Sequence, residues 1–365
     1  MKIIINQPRS SYFVGGAEMI SFDHAINFYE LGNEVYFLTI SPKSIGLDYT
    51  TQFKKFYNNY SDKINIIEIN QDSKIKYIYN IQPGEDRCRW NVESIFYNQK
   101  LYEYIFEQNT NYDVIFSYYN LDAVFVPKKL ISRNVLYLCG VPKEQNDFQG
   151  SFLSVYDKVI AISEVVKKSW NKYCKGKIDI ISTGVDCNRF SFKKFQENNN
   201  SDITLLYVGR LISRKNVDKI IYAFEKLYKE YKLKLIIVGD GPDRKHLESI
   251  SSHSEFVGVV SDTETYYHKA DIFISPSEYG EGLQGSILEA MSCGLTVVAT
   301  NTQVNRELLA NGRGIIVEPT INSIIDGIKK AVDVDRFKIA QDSRKYILNN
   351  YDWSRKSNEI LEVLK

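Results

Sequence analysis

Three runs in the second half of the chain are apolar at almost every position: ITLLYVG at 203–209, LKLIIVG at 233–239 and LTVVAT at 295–300. A strand with one solvated face alternates apolar and polar residues. A short continuous run instead points to a strand covered on both faces, as in a parallel sheet. Similar β-branched runs recur at 2–6, 34–39, 64–69, 113–117, 134–138 and 158–162, then at 204–208, 234–238, 255–257, 271–275, 296–299 and 314–317. Amphipathic stretches such as 217–231 and 243–251 lie between them. This alternation predicts two doubly wound α/β domains. The length, 365 residues, suits two domains of ~150–200 residues each.

The division between the halves falls in TGVDCNRFSFKKFQENNNSD at 183–202. That stretch has no long periodic pattern and ends in a polar run just before a strand. The expected domains are 1–185 and 186–345, followed by a terminal helix within 346–365. Asp352 or Ser354 is placed to cap that helix, and Trp353 to anchor it. The halves share architecture but no short repeat.

Lys plus Arg number 46 and Asp plus Glu 45, so no basic excess points to nucleic acid. The cysteines are Cys88, Cys139, Cys174, Cys187 and Cys293, an odd count without a CxxC, which suits a reducing compartment. The start, MKIIINQPRS, has an apolar run of three and no cleavage site, so it reads as a first strand. No apolar run approaches the ~18–20 residues that span a bilayer. A cytoplasmic protein is expected, still able to touch a membrane surface. His24, His246, His253 and His268 form no metal-ligand spacing, and neither HExxH nor GxSxG occurs. Asp333 and Asp335 read as a solvated helix face. No metal is expected.

Several strand ends carry glycine. Val208-Gly209-Arg210 closes one and Val238-Gly239-Asp240-Gly241-Pro242 the next. Ligands of open α/β sheets bind outside the carboxyl ends of the strands, where glycine lets them approach the backbone. Each glycine taken alone better suits an ordinary turn. Arg210 and Lys215, with Arg214 nearby, offer cations fit for phosphate oxygens. By themselves they are also what a solvated basic loop contains. The stretch EYGEGLQGSILEAMSCG at 278–294 carries the most. Gly282 and Gly285 precede a helix whose free N–H groups make an anion site. Ser286 is expected to cap that helix and Gly294 to end it. Glu289, about one turn in, suits a diol such as ribose, and Glu281, before the helix, suits sugar hydroxyls. Either acid alone also fits an exposed surface. Gly15-Gly16 form a glycine turn after the first strand, but they do not complete a GxGxxG fingerprint.

Taken in order, these pieces resemble the retaining glycosyltransferases of the GT-B fold, family four, the group 1 glycosyltransferases. The matching stretches are GGAE at 15–18, STGVDCNRF at 182–190, VGRLISRKN at 208–216, VGDGP at 238–242, FVGVVSD at 256–262, 270–294 and DWS at 352–354. The resemblance is strong over roughly 180–320 and thin over 20–180. It implies two Rossmann-like domains facing across a cleft, with the last helix returning to the first domain. It implies transfer from a UDP- or GDP-linked sugar to a glycan or lipid-linked acceptor, as in bacterial surface polysaccharide assembly, without a metal or other cofactor. By position, Arg210 and Lys215 correspond to the pair gripping the donor diphosphate, Glu289 to the ribose-binding acid and Glu281 to the acid facing the donor sugar. Leu283, Gln284 and Gly285 would offer backbone N–H groups to the donor, and Gly209 lies beside the diphosphate loop. Gly258 and Val259 would meet the base, and Gly15 and Gly16 the diphosphate from the other domain. Two departures stand out. Cys139 occupies the place near the donor sugar where a histidine is frequent, which leaves a buried free thiol as its simplest role. Thr183 stands where asparagine is usual. Two other functions compete: a sugar-nucleotide epimerase of the same fold, and a non-catalytic sugar-nucleotide-binding subunit.

Overall fold

The structure is a computed structural model that describes residues 1–71, 87–142, 150, 152–174, 176–193, 202–277 and 282–365. These residues divide into two compact units. Unit 1 is Met1–Ser182 with Lys356–Lys365, and unit 2 is Thr183–Arg355.

Unit 1 is built on β1 (Lys2–Asn6), β2 (Glu34–Ile40), β3 (Asn65–Ile69), β4 (Tyr112–Ser117), β5 (Ile131–Leu138), β6 (Lys158–Ala161) and β7 (Ile178–Ile180). They form one sheet in the order β3-β2-β1-β4-β5-β6-β7. Every pairing is parallel. Ile3, Ile4 and Ile5 are all fully buried, which requires cover on both faces of β1. The helices α1 (Gly16–Glu30), α2 (Thr51–Tyr60), α3 (Arg87–Gln108) and α4 (Glu164–Trp170) belong to this unit. Tyr97, Leu101 and Ile105, spaced four apart on α3, are fully buried.

Unit 2 carries β8 (Ile203–Val208), β9 (Leu233–Val238), β10 (Ser254–Gly258), β11 (Ile272–Ser275), β12 (Thr296–Thr300) and β13 (Gly314–Val317). Their order is β10-β9-β8-β11-β12-β13, again parallel throughout. The helices are α5 (Val217–Leu227), α6 (Arg244–Ser249), α7 (Glu264–Lys269), α8 (Gly285–Cys293), α9 (Gln303–Leu308), α10 (Ile321–Asp333) and α11 (Arg336–Asn350). One core joins Ile220, Ile221 and Phe224 of α5 to Ile324, Ile328 and Ala331 of α10. The last helix, α12 (Trp353–Leu364), ends in unit 1, where Leu364 O accepts a bond from Arg133 at 2.6 Å.

The predicted strands all appear, most of them one to three residues longer or shorter at an end. The helix expected over 217–231 stops at Leu227. Lys232 takes a left-handed backbone (φ 49°) and Leu233 N bonds Tyr228 O at 2.9 Å, which turns the chain into β9. Asp335, read as part of a solvated face, caps α11 by accepting from Lys338 N at 3.0 Å. At α12, Asp352 Oδ1 accepts from the Ser354 N–H at 3.1 Å, and Trp353 is buried. The pieces STGVD and DWS meet within unit 2: Val185 N donates to Tyr351 O at 2.8 Å and Trp353 N to Val185 O at 3.2 Å. A Cβ on Gly184 would sit 2.8 Å from Trp353 Cα, so only glycine allows this approach.

Candidate active site

In a doubly wound sheet the crevice lies where the strand order reverses. In unit 2 that point falls between β8 and β11. The loop after β8 carries Gly209, Arg210 and Lys215, and the segment after β11 leads to Leu283, Gln284 and Gly285. Side chains bind the two together. Asn216, buried and left-handed (φ 51°), donates from Nδ2 to Pro276 O at 2.8 Å. Ser275 Oγ donates to Gln284 Oε1 at 2.7 Å. Lys215 ends a short 3-10 turn, Ser213–Lys215, and is half-buried beside that tether, as is Arg210 on the same loop.

The glycine turns interlock. Gly209 N donates to Val238 O at 3.0 Å, Leu211 N to Asp240 O at 2.9 Å and Gly239 N to Gly258 O at 2.8 Å. A Cβ on Gly239 (φ +133°) would lie 1.9 Å from Gly209 O, and one on Gly241 would lie 2.2 Å from Leu211 O. Contact between loops therefore accounts for these two glycines. Gly258 (φ +85°) ends β10, followed by exposed Val259.

The helix α8 starts one residue earlier than its expected cap. Gln284 is the N-cap and makes no side-chain cap bond, so Ser286 lies inside the first turn and caps nothing. The backbone N–H groups of Leu283, Gln284, Gly285 and Ser286 have no partner among the described residues. Gly294 closes the helix in the left-handed region (φ 85°). Glu289 is half-buried and faces back along α8: its Oε1 is 3.9 Å from where a Gly285 Cβ would be. Its Oε2 accepts from Tyr267 Oη at 2.7 Å. Burial raises the Glu289 carboxyl above its ordinary range, and the Tyr267 phenol and the Arg189 charge draw it back. Glu281 lies outside the described residues.

In unit 1, Gly15 caps α1 and Gly16 begins it, after the loop that follows β1. A Cβ on Gly15 would lie 2.5 Å from Glu18 Oε2, whereas Gly16 has open space. Cys139 follows β5, with its Sγ 3.8 Å from Tyr137 O. Burial pushes its thiol well up, and the Glu18 carboxylate adds to the effect. A thiol held protonated is a poor nucleophile; by exposure Cys139 is half-buried, less enclosed than the buried thiol expected. Among the described residues, no group of three His, Cys, Asp or Glu is arranged to hold a metal ion. No described helix is long and apolar enough to cross a membrane.

Sequence reading missed Glu18, Arg189, Asn216 and Tyr267. Asn216 carried a signal, since asparagine before a helix tolerates the left-handed backbone.

The two parallel sheets with flanking helices define a GT-B glycosyltransferase fold. Anabaena HepE, solved in complex with UDP and glucose, superposes with a TM-score of 0.74 over 100% of this chain and 98% of that one, at 16% identity. Residues 188–350 match the model of the family of glycosyl transferases group 1. An uncharacterised glycosyltransferase of Methanocaldococcus jannaschii is 28% identical over 66% of this chain and 69% of its own length. The alpha-monoglucosyldiacylglycerol synthase of Streptococcus pneumoniae is 30% identical over 44% of this chain and 41% of its own.

Proposed function

We propose that the protein is a retaining glycosyltransferase that moves a sugar from a UDP- or GDP-linked donor to a glycan or glycolipid acceptor, without a metal, in bacterial surface polysaccharide or glycolipid assembly. One observation carries the reading: Asn216 ties the Arg210–Lys215 loop to the segment leading into α8, at the switch point of the unit 2 sheet. This tether supports assigning the cations and the unpartnered N–H groups to one crevice. As the glycosidic bond breaks, negative charge grows on the departing diphosphate. Fixed cations and a helix start stabilise that charge without reorganising. Arg210 and Lys215 take the diphosphate, with backbone N–H groups of Leu283, Gln284 and Gly285. Glu289 accepts from the ribose diol, Glu281 faces the donor sugar, and Gly258 and Val259 meet the base. The departing phosphate helps to take the acceptor proton on the same face, so the paired carboxylates of a glycosidase are not required. The glycolipid acceptor follows the name of the streptococcal relative.

The test is incubation with a panel of UDP- and GDP-sugars and candidate acceptors, with nucleotide release measured. Release that depends on one donor supports transfer. Conversion of the donor without release would identify an epimerase, and binding without turnover a non-catalytic subunit.

A further inference from the structure

Tyr267 is fully buried on α7, and its ring is edge-on to Phe190 at 5.6 Å and tilted against Phe273 at 5.8 Å. The ring cannot swing away, so its hydroxyl position is fixed. That hydroxyl donates to Glu289 Oε2 at 2.7 Å and lies 3.3 Å from Ser286 O. It has one proton to give, and the carboxylate is the stronger acceptor. Arg189 sits close enough to favour the charged carboxylate but bonds elsewhere, to Glu264 Oε2 at 2.8 Å and Ser261 O at 3.1 Å. Glu264 acts on Glu289 as a like charge, and the Cys293 thiol also feels Glu289. Among the described residues, Tyr267 is therefore the group that bonds the Glu289 carboxylate, and it does so at one oxygen.

We propose that Tyr267 is a positioning residue for nucleotide binding: its buried phenol holds Oε2 of Glu289 and so presents Oε1 as the oxygen that receives the ribose diol. This rests on the proposed nucleotide site and refines it. The carboxylate meets the diol through one oxygen with two lone pairs, rather than through both oxygens. The ionised carboxylate is the stronger acceptor for the ribose hydroxyls, so affinity is highest above the Glu289 pKa and falls as pH drops through it. The phenol lowers that pKa. Without it, the acid limb of binding moves to higher pH.

The experiment is calorimetry of UDP and GDP binding across acidic to neutral pH, on the wild type, Tyr267→Phe, Glu289→Gln and the double variant. It is paired with carbon-13 NMR titration of the Glu289 carboxyl, with Glu289→Gln identifying the resonance. Tyr267→Phe is expected to weaken nucleotide binding on the order of tenfold at neutral pH, to move the acid limb upward, and to raise the donor KM more than it lowers kcat. In the Glu289→Gln background the same change should add little, because the hydroxyl acts through the carboxylate. A merely structural tyrosine would weaken both backgrounds alike and leave the Glu289 titration in place. Wild-type binding matched by Tyr267→Phe at every pH overturns the positioning role alone. A wild type that binds neither nucleotide overturns the site reading, and the ribose role of Tyr267 with it.

Discussion

Arg210 and Lys215 follow a strand whose last turn is clamped by the neighbouring glycine loop, and Asn216 pins the far end of their own loop. The backbone that carries both residues is thus held at its two ends, and both are half-buried. Arg210→Ala and Lys215→Ala are each expected to lower kcat/KM for the donor by about 10²–10³-fold, the scale of losing one preorganised stabilising group. The unfolding midpoint should hardly move. Near-normal turnover in both variants would remove them from the diphosphate site. The place of both residues on the loop after β8 was legible because a strand, a glycine and then cations follow one another in a short stretch. Asn216, Tyr267 and Arg189 were not, because their partners lie 60, 22 and 75 positions away. Pairing across such distances is set by strand order, which no local pattern records.

At the scale of elements, strands buried on both faces were legible because burial forces continuous apolar runs. The strand β7 escaped, since three residues at Ile178–Ile180 fall below any pattern length. The start of α8 was misread at Ser286 because a serine after glycine looks like a cap, while the chain enters the helix through an uncapped Gln284. The start of α1 yields a sharper prediction. Gly16 is its first residue, and a Cβ there meets nothing within 4 Å. On conformational grounds, Gly16→Ala should stabilise unit 1 by up to about 1 kcal/mol. If Gly16 admits the diphosphate, the added methyl should nevertheless raise the donor KM severalfold. Thermal melts read beside donor kinetics separate the two effects. A more stable variant with unchanged kinetics would take Gly16 out of the donor site.

At the scale of the whole molecule, unit 1 buries two titratable groups whose pH dependences oppose each other. Arg9 is fully buried between two carboxylates, with its Nε 2.9 Å from Glu93 Oε1 and its Nη1 2.8 Å from Asp122 Oδ2. One guanidinium cannot neutralise both, and burial pushes the Glu93 carboxyl up to about 7 against an ordinary 4.5. His24 is packed among Phe28, Phe116 and Tyr137, with Nδ1 2.7 Å from Tyr118 Oη, and burial lowers its ring to about 3 from 6.5. Between 4.5 and 7 the fold keeps a proton on Glu93 that the unfolded chain has lost, so this contribution falls as pH rises through the window. Between 3 and 6.5 the unfolded chain binds a proton at His24 that the fold refuses, so this contribution rises with pH. Each slope reaches at most about 1.4 kcal/mol per pH unit, and the two nearly cancel where the windows overlap. Glu93→Gln should expose the histidine slope, so that stability relative to wild type climbs with pH across 4.5 to 7. His24→Gln should expose the carboxyl slope and give a stability relative to wild type that falls with pH across 3 to 6.5, the histidine's own window. Urea midpoints at several pH values, taken as differences from wild type, cancel the groups common to all three proteins. Differences that stay flat with pH for both variants would show that neither group titrates with the shift its burial demands.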